Sequence, residues 1–183
     1  MTPKDEEEFP DPNHPPSQDL FLYEPLPLSE QTTRVIWVEN LKKESGPYLS
    51  IRLQTVDLDA VGPYDAISYT WDGQLPTVPI LCSGKTLLVT ENCFTILKSL
   101  RSIGHETPVW LDAISINQSS VQERNHQVSI MKDIYRKAAK VLIWPGKCDY
   151  TTQVLIDCLS KVCESKSMQA VFKELETCEL ILR

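Results

Sequence analysis

Two carboxylates lie around a junction between a strand and a helix, where they could act on a ligand. Asp112 follows two apolar residues and should lie near the carboxyl end of a strand, and Glu123 lies near the start of the next helix. Ligands of open α/β sheets bind at the carboxyl ends of the strands. A carboxylate there can stabilise positive charge that develops as a bond breaks. We therefore take Asp112 and Glu123 as the candidate catalytic residues.

Polar and aromatic side chains at the ends of two strands could bind the ligand. A serine at a strand end can bind a ligand hydroxyl or phosphate, and an exposed tryptophan can stack on a ring or act as a hydrophobic lid over the end of the sheet. The candidate binding residues share this placement near a strand end or in the turn and helix that follow: Ser68, Tyr69, Trp71, Asn117, Gln118 and Arg124.

The same residues also have structural explanations, and the sequence leaves both readings open. A short Asp side chain such as that of Asp112 often bonds loop amides. Residues 120–123 read Ser-Val-Gln-Glu, which is the capping box in which the Glu side chain bonds back to the amide of the cap residue. An ion pair between Asp112 and Arg124 would hold the loop and satisfy an arginine on the packed side of the helix.

Several other kinds of site lack the residues that they need. The six cysteines form no C-x-x-C pair, and no histidine lies at metal-ligand spacing near them, so we expect no metal site. The three histidines are scattered along the chain, which assembles no Ser-His-Asp or Cys-His set. The chain has neither G-x-G-x-x-G nor G-x-x-x-x-G-K-[ST], so the phosphate cradles of those nucleotide-binding folds are missing.

The charge and the apolar content limit the kinds of partner that the protein can bind and its location in the cell. The formal net charge is −7, and residues 1–19 hold six acidic residues against one lysine. This balance argues against nucleic-acid binding, which requires a basic surface. The N-terminus has no apolar signal segment, and no apolar run is long enough to cross a bilayer. With unpaired cysteines, these features indicate a cytoplasmic protein.

Alternating strands and helices must position these residues. The hydrophobic pattern predicts strands at 34–38, 48–53, 64–69, 109–114 and 141–144, a hairpin over 78–82 and 86–89, and helices at 92–101, 121–139 and 152–163. The βαβαβα rhythm after residue 64 predicts an α/β fold with an open, mostly parallel sheet and helices on both faces. The first two strands are N-terminal β additions, and the hairpin is an insertion.

The length is that of one domain with flanking segments. Residues 1–22 are acidic and proline-rich, which predicts a disordered tail. Residues 23–165 form the predicted domain, beginning with an extended lead-in over 23–28, and residues 166–183 form a weakly patterned C-terminal helical segment.

Three ordered motifs resemble the heterokaryon incompatibility (HET) domain of filamentous fungi. Residues 64–71, YDAISYTW, resemble its Y-x-A-L-S-Y-x-W-G motif, and residues 110–118, WLDAISINQ, resemble W-I-D-A-I-C-I-N-Q. Residues 123–146 resemble its E-R-x-x-Q-V continuation, and Tyr-Glu-Pro-Leu at 23–26 resembles a common Y-x-P-L opening. The sequence departs from the family pattern at Asp72, at Ser115 in place of the usual Cys, and at Pro145 in place of the usual Leu. The loss of that Cys argues against a required thiol nucleophile.

The resemblance implies a role in programmed cell death after fusion of incompatible fungal cells. It also implies a distant similarity to TIR domains, whose sheet is flavodoxin-like and which often cleave NAD, so NAD is the substrate that it suggests. TIR enzymes carry a catalytic Glu after their third strand, where this chain has no Glu before Glu164. That departure shifts the role to Asp149 or Glu123. Alternatively, the domain is a non-catalytic signalling module that contacts a second copy or another incompatibility protein.

Overall fold

The computed structural model describes residues 16–28, 31–39 and 48–144, and the backbone of 180–182. The helix predicted at 152–163, the candidate Asp149 and most of the predicted C-terminal segment lie outside the described residues. Most of the predicted N-terminal tail, residues 1–15, also lies outside them.

Eight described strands form one sheet and three helices pack on it. The strands are β1 (Thr32–Val38), β2 (Ser50–Asp57), β3 (Asp65–Tyr69), β4 (Val78–Cys82), β5 (Lys85–Val89), β6 (Val109–Trp110), β7 (Lys140–Trp144) and β8 (Leu180–Leu182). The helices are α1 (Glu91–Ser102), α2 (Asp112–Ser115) and α3 (Val121–Lys137). The order across the sheet is β5-β4-β2-β1-β6-β3-β7-β8.

The α/β class is confirmed, and the sheet is mixed rather than mostly parallel. Strands β6, β3 and β7 are neighbours that run parallel, and the βαβαβα rhythm predicted their parallel direction. Strand β1 pairs antiparallel with both β2 and β6. The N-terminal strands β1 and β2 therefore lie between these parallel strands and the β4–β5 hairpin, because β2 pairs with β4.

Helices cover both faces of the sheet, as predicted. Successive side chains of a strand point to opposite faces, and in β1 Ile36 belongs to the core under α1 while Val35 belongs to the core under α3. Thr90 caps α1 by accepting a hydrogen bond from the Cys93 amide at 3.2 Å. The apolar spacing of α1 then places Leu97 in the first core with no exposed surface.

The predicted hairpin is confirmed, and its edge carries part of the N-terminal segment. Ser83 and Gly84 both have positive φ, at 50° and 79°, as a two-residue hairpin turn of type I′ requires. Leu20 forms a bridge with Thr86 of β5, and the Phe21 amide donates to the Thr86 carbonyl at 2.8 Å. Residues 20 and 21, within the predicted 1–22 tail, are thus held against the sheet.

The strand predicted over 109–114 ends at Trp110, and a single helical turn follows. The Leu111 carbonyl accepts hydrogen bonds from the amides of Ile114 and Ser115 at 3.0 and 2.7 Å. The Leu111 amide donates to the Ser115 side chain at 3.2 Å, and the Asp112 carboxylate accepts from the Ala113 amide at 2.7 Å. These local bonds replace the strand ladder, because Ser and Asp side chains compete for backbone groups.

Candidate functional site

Three of the predicted site residues meet at the carboxyl ends of β3 and β6. Trp71 donates from its indole nitrogen to Asp112 Oδ2 at 3.0 Å. The rings of Tyr69 and Trp71 stack with centroids 6.5 Å apart and an interplanar angle of 20°. Trp71 is 42% exposed, so a ligand can reach its ring. We call Tyr69, Trp71 and Asp112 the carboxyl-edge cluster.

The carboxylate of the cluster is partly desolvated. Burial raises the pKa of Asp112 above its ordinary value of 3.8, against the opposing effect of hydrogen bonds from Trp71, the Ala113 amide and Tyr69. Loss of water around a carboxylate disfavours its charged form and strengthens its interaction with a nearby positive charge. Asp112 is therefore suited to stabilising a cationic group brought to the edge of the sheet.

The stability of the protein should depend on pH through Asp112. Well below pH 3.8 the Asp112 carboxyl is protonated in both the folded and the unfolded chain. As the pH rises above 3.8, the unfolded chain releases this proton while the folded chain still retains it. The folded state then binds more protons, so its stability falls as pH rises until the folded pKa is passed. We compare the free energy of unfolding of the wild type with that of Asp112→Asn. The difference, wild type minus variant, should decrease as the pH rises from 4 to 7. Urea unfolding at a series of pH values measures it. A difference that rises with pH would contradict the raised pKa.

A buried thiol lies beneath the cluster. The Tyr69 hydroxyl and Cys93 Sγ are 3.3 Å apart, and Cys93 has no exposed surface. Burial raises the pKa of Cys93 and is the main cause of a raised pKa at Tyr69 as well. Because a buried neutral thiol is a poor nucleophile, Cys93 supports the ring of Tyr69 rather than reacting.

Glu123 is held in a buried ion pair, which argues against the catalytic role that we predicted for it. Its carboxylate binds the Arg34 guanidinium through two contacts of 2.6 and 3.2 Å, and both side chains are 4% exposed. Its Oε1 also accepts from the Asn117 amide at 2.6 Å. Both carboxylate oxygens are thus occupied by the protein itself.

The capping box is only half formed. Ser120 Oγ accepts from the Glu123 amide at 3.3 Å, so Ser120 is the N-cap of α3, as expected. The Ser120 amide, however, donates to the Asn117 carbonyl at 3.1 Å. The predicted return bond from the Glu123 side chain is wrong, because the charge of Arg34 attracts that carboxylate more strongly than a neutral amide does.

The predicted ion pair between Asp112 and Arg124 is also wrong. Arg124 lies on the exposed side of α3 and donates to the Gln118 carbonyl at 3.0 Å. Asp112 instead takes its hydrogen bonds from Trp71 and Ala113. The buried arginine of this region is Arg34 of β1, which sequence reasoning missed because its partner Glu123 is 89 residues away.

The buried amide of Gln127 joins α3 to β1. Gln127 Oε1 accepts from the Thr33 hydroxyl and its Nε2 donates to the Thr32 carbonyl, both at 2.7 Å. The Trp110 indole donates to the same Thr33 hydroxyl at 2.9 Å. Both polar atoms of this buried side chain thus find their partners in β1.

The other candidate binding residues lie around the cluster. Gln118 Nε2 donates to the Asp112 carbonyl at 3.0 Å, and the Asn117 side chain accepts from the Ser119 amide at 3.1 Å, as in an Asx turn. Ser68 precedes Tyr69 in β3 and so points to the opposite face of the sheet. The structure thus brings Gln118 to the backbone of Asp112, whereas Ser68 lies on the other face from the Tyr69 ring.

Asn92 holds the loop that carries Trp71, a role that sequence reasoning missed. Its side-chain nitrogen donates to the Thr70 carbonyl at 2.9 Å and to Asp72 Oδ2 at 3.0 Å. Its amide donates to the Gln74 side chain at 2.9 Å. Asp72 has a positive φ of 49°, which Asp tolerates better than most residues. These bonds fix the position of Trp71 within the cluster.

Within the described part of the chain, no three His, Cys, Asp or Glu side chains come together in a way that could hold a metal ion. None of the described helices combines the length and apolar character required to span a membrane.

Comparison with known proteins supports the resemblance that the motifs suggested. The family model described as heterokaryon incompatibility protein (HET) matches residues 64–177. Heterokaryon incompatibility protein 6, OR allele, of Neurospora crassa is 27% identical over 160 residues, which cover 79% of this chain and 23% of that protein. The chain thus spans about a quarter of the length of this relative. No solved structure matches the chain. Because the family match covers more than half of the chain, this chain belongs to the heterokaryon incompatibility (HET) family.

Proposed function

We propose that this chain supplies the HET domain of a fungal non-self recognition protein whose signal leads to programmed cell death. Membership of the family and the similarity to an incompatibility protein of Neurospora crassa support this role. We place the domain in the cytoplasm, consistent with the free buried thiols of Cys82 and Cys93 among the described residues.

We further propose that the domain acts on NAD at the carboxyl-edge cluster. The observation that carries this proposal is the contact between the desolvated Asp112 carboxylate and the exposed Trp71 indole at the carboxyl ends of parallel strands. The aromatic rings suit a nicotinamide ring, and the TIR resemblance suggests the substrate. This placement follows the rule for ligands of open α/β sheets.

The chemistry assigned to Asp112 is electrostatic. The bond between the ribose carbon and the nicotinamide nitrogen breaks, and both electrons leave with nicotinamide. Asp112 stabilises the positive charge that develops on the ribose. Water then adds to that carbon and loses a proton, which yields ADP-ribose. Glu123 has no part in this step, because its oxygens are bound to Arg34 and to the Asn117 amide.

The second candidate is a non-catalytic signalling module that contacts a second copy or another incompatibility protein. The observation that favours it is the structural use of the motif residues: Glu123 and Gln127 both hold α3 to β1. In that case the motifs preserve the fold, and variants would lose signalling in proportion to their loss of stability.

Asp112→Asn separates the two candidates. For the enzyme we expect nicotinamide release from NAD to fall by about a hundredfold or more, the effect of removing one electrostatic group from such a site. Cell death in a fungal host should be lost at a temperature where the variant is folded. Asp133→Asn is the matched control, because Asp133 lies on α3 in an ion pair whose arginine is 67% exposed.

The outcomes are distinct. An Asp112→Asn variant that is folded and releases nicotinamide at the wild-type rate would contradict the role of Asp112. A concentrated, assembled wild-type protein without turnover that still triggers death would favour the non-catalytic module.

A further inference from the structure

Two residues that precede the family match hold the helical turn that begins with Asp112. The match starts at residue 64, whereas Tyr23 and Arg34 come from the lead-in and from β1. The Tyr23 hydroxyl donates to the Ile114 carbonyl at 2.9 Å. Arg34 Nη1 donates to the Ser115 carbonyl at 3.1 Å. Both carbonyls lie at the carboxyl end of α2.

The turn depends on such outside partners. The last carbonyls of a helix have no partner within it, and α2 has only four residues. An isolated turn of that length is unstable in water. A hydroxyl donor and a cation at its carboxyl end therefore stabilise the turn, and the cation interacts favourably with the negative end of the helix dipole. Asp112 is the first residue of the same turn, so its carboxylate moves with it.

The two residues are themselves fixed. The Arg34 guanidinium lies over the Tyr23 ring, with Cζ 5.0 Å from the ring centroid. It also donates hydrogen bonds to the Glu24 carbonyl and to both carboxylate oxygens of Glu123. Glu123 in turn accepts from the Asn117 amide, just beyond the turn. The chain after β6 is thus clamped from α3 and from the N-terminal segment.

We propose that Tyr23 and Arg34 are positioning residues for Asp112. They hold α2 so that the Asp112 carboxylate stays on the Trp71 indole. The inference rests on the proposed function of the carboxyl-edge cluster. It adds Tyr23 of the lead-in to the residues on which the activity of that cluster depends.

The indole proton of Trp71 reports the position of Asp112 without any substrate. Tyr23→Phe removes only the hydroxyl and keeps the ring on Arg34. We expect the exchange of the Trp71 indole proton with water to rise about fivefold, the factor that corresponds to one neutral hydrogen bond. Its resonance, assigned with Trp71→Phe, should also shift in a nitrogen–proton NMR spectrum. The Trp37 indole is an internal control, because it donates to Gln54 of β2 at 2.8 Å.

Tyr64→Phe is the matched variant. The Tyr64 hydroxyl donates to the Ile134 carbonyl near the carboxyl end of α3 at 2.6 Å. Its loss should lower stability in the same way without moving the Trp71 signal. A Trp71 signal that is unchanged in Tyr23→Phe, or that changes equally in Tyr64→Phe, would overturn the proposal.

A folded Arg34→Lys variant extends the test, because lysine keeps the positive charge but cannot bind a carboxylate through two parallel hydrogen bonds. We expect a larger change at Trp71 than in Tyr23→Phe, and no change would count against the proposal. If the wild type is active, Tyr23→Phe should lower kcat more than it changes KM. A wild type that releases no nicotinamide would contradict the proposed catalysis, while the indole comparison would still decide the role of Tyr23.

Discussion

Arg34→Met is expected to lower the free energy of unfolding by about 3–5 kcal/mol, the cost of leaving one partner of a buried ion pair without the other. The Glu123 side chain is 4% exposed and would keep an uncompensated charge in the interior. The Ser115 and Glu24 carbonyls would lose a charged donor as well. Because domains are stable by only about 5–15 kcal/mol, a loss of this size removes a large share of the stability and should shift the urea midpoint well below that of the wild type. Urea unfolding followed by circular dichroism measures the loss.

Two further variants identify the cause. Arg136→Met breaks a surface pair with Asp133, in which the arginine is 67% exposed, and should cost no more than about 1 kcal/mol. The double variant Arg34→Met with Glu123→Leu removes both charges and should recover a large part of the loss. The interpretation fails if Arg34→Met costs as little as Arg136→Met, or if the double variant is no more stable than Arg34→Met alone.

Gln127→Leu is expected to cost about 2–4 kcal/mol, although leucine is similar in size and more apolar. The Thr33 hydroxyl would lose its acceptor and the Thr32 carbonyl its donor, both in the buried contact between α3 and β1. Each buried polar group left without a partner costs about 1–3 kcal/mol. Thermal and urea unfolding measure the effect.

Gln54→Leu is the matched control for this change. Gln54 accepts a hydrogen bond from the Trp37 indole at 2.8 Å, on the exposed side of β2. Water replaces the lost group there, so the change should stay within about 0.5 kcal/mol. Equal losses for the two variants would show that burial does not set the cost of removing the amide.

The positions of the main elements were predictable because hydrophobic periodicity is a local signal. Predicted strand 64–69 is observed as Asp65–Tyr69, predicted helix 92–101 as Glu91–Ser102, and predicted helix 121–139 as Val121–Lys137. Strand β6 is the exception: it ends at Trp110 because side chains of Asp112 and Ser115 bind the backbone of the turn. An apolar run shows that residues are buried, and it does not separate a strand from a short helical turn.

The sheet order was only partly predictable. The alternation of strands and helices predicts that β3, β6 and β7 run parallel, as they do. It gives no indication that β1 lies between β2 and β6. That order depends on contacts between distant segments, such as Ile36 opposite Val109.

The sequence by itself determined the α/β class and the family, and it placed Tyr69, Trp71 and Asp112 near the carboxyl ends of two predicted strands. Those conclusions rest on local motifs and on the rule that parallel strands end at the same edge. Only the tertiary structure decided which carboxylate remains available there. Glu123 and Asp112 are equal candidates in the sequence, but Arg34 occupies Glu123 in the interior. A buried charge needs a partner, and the partner came from a strand 89 residues away that no local pattern identifies.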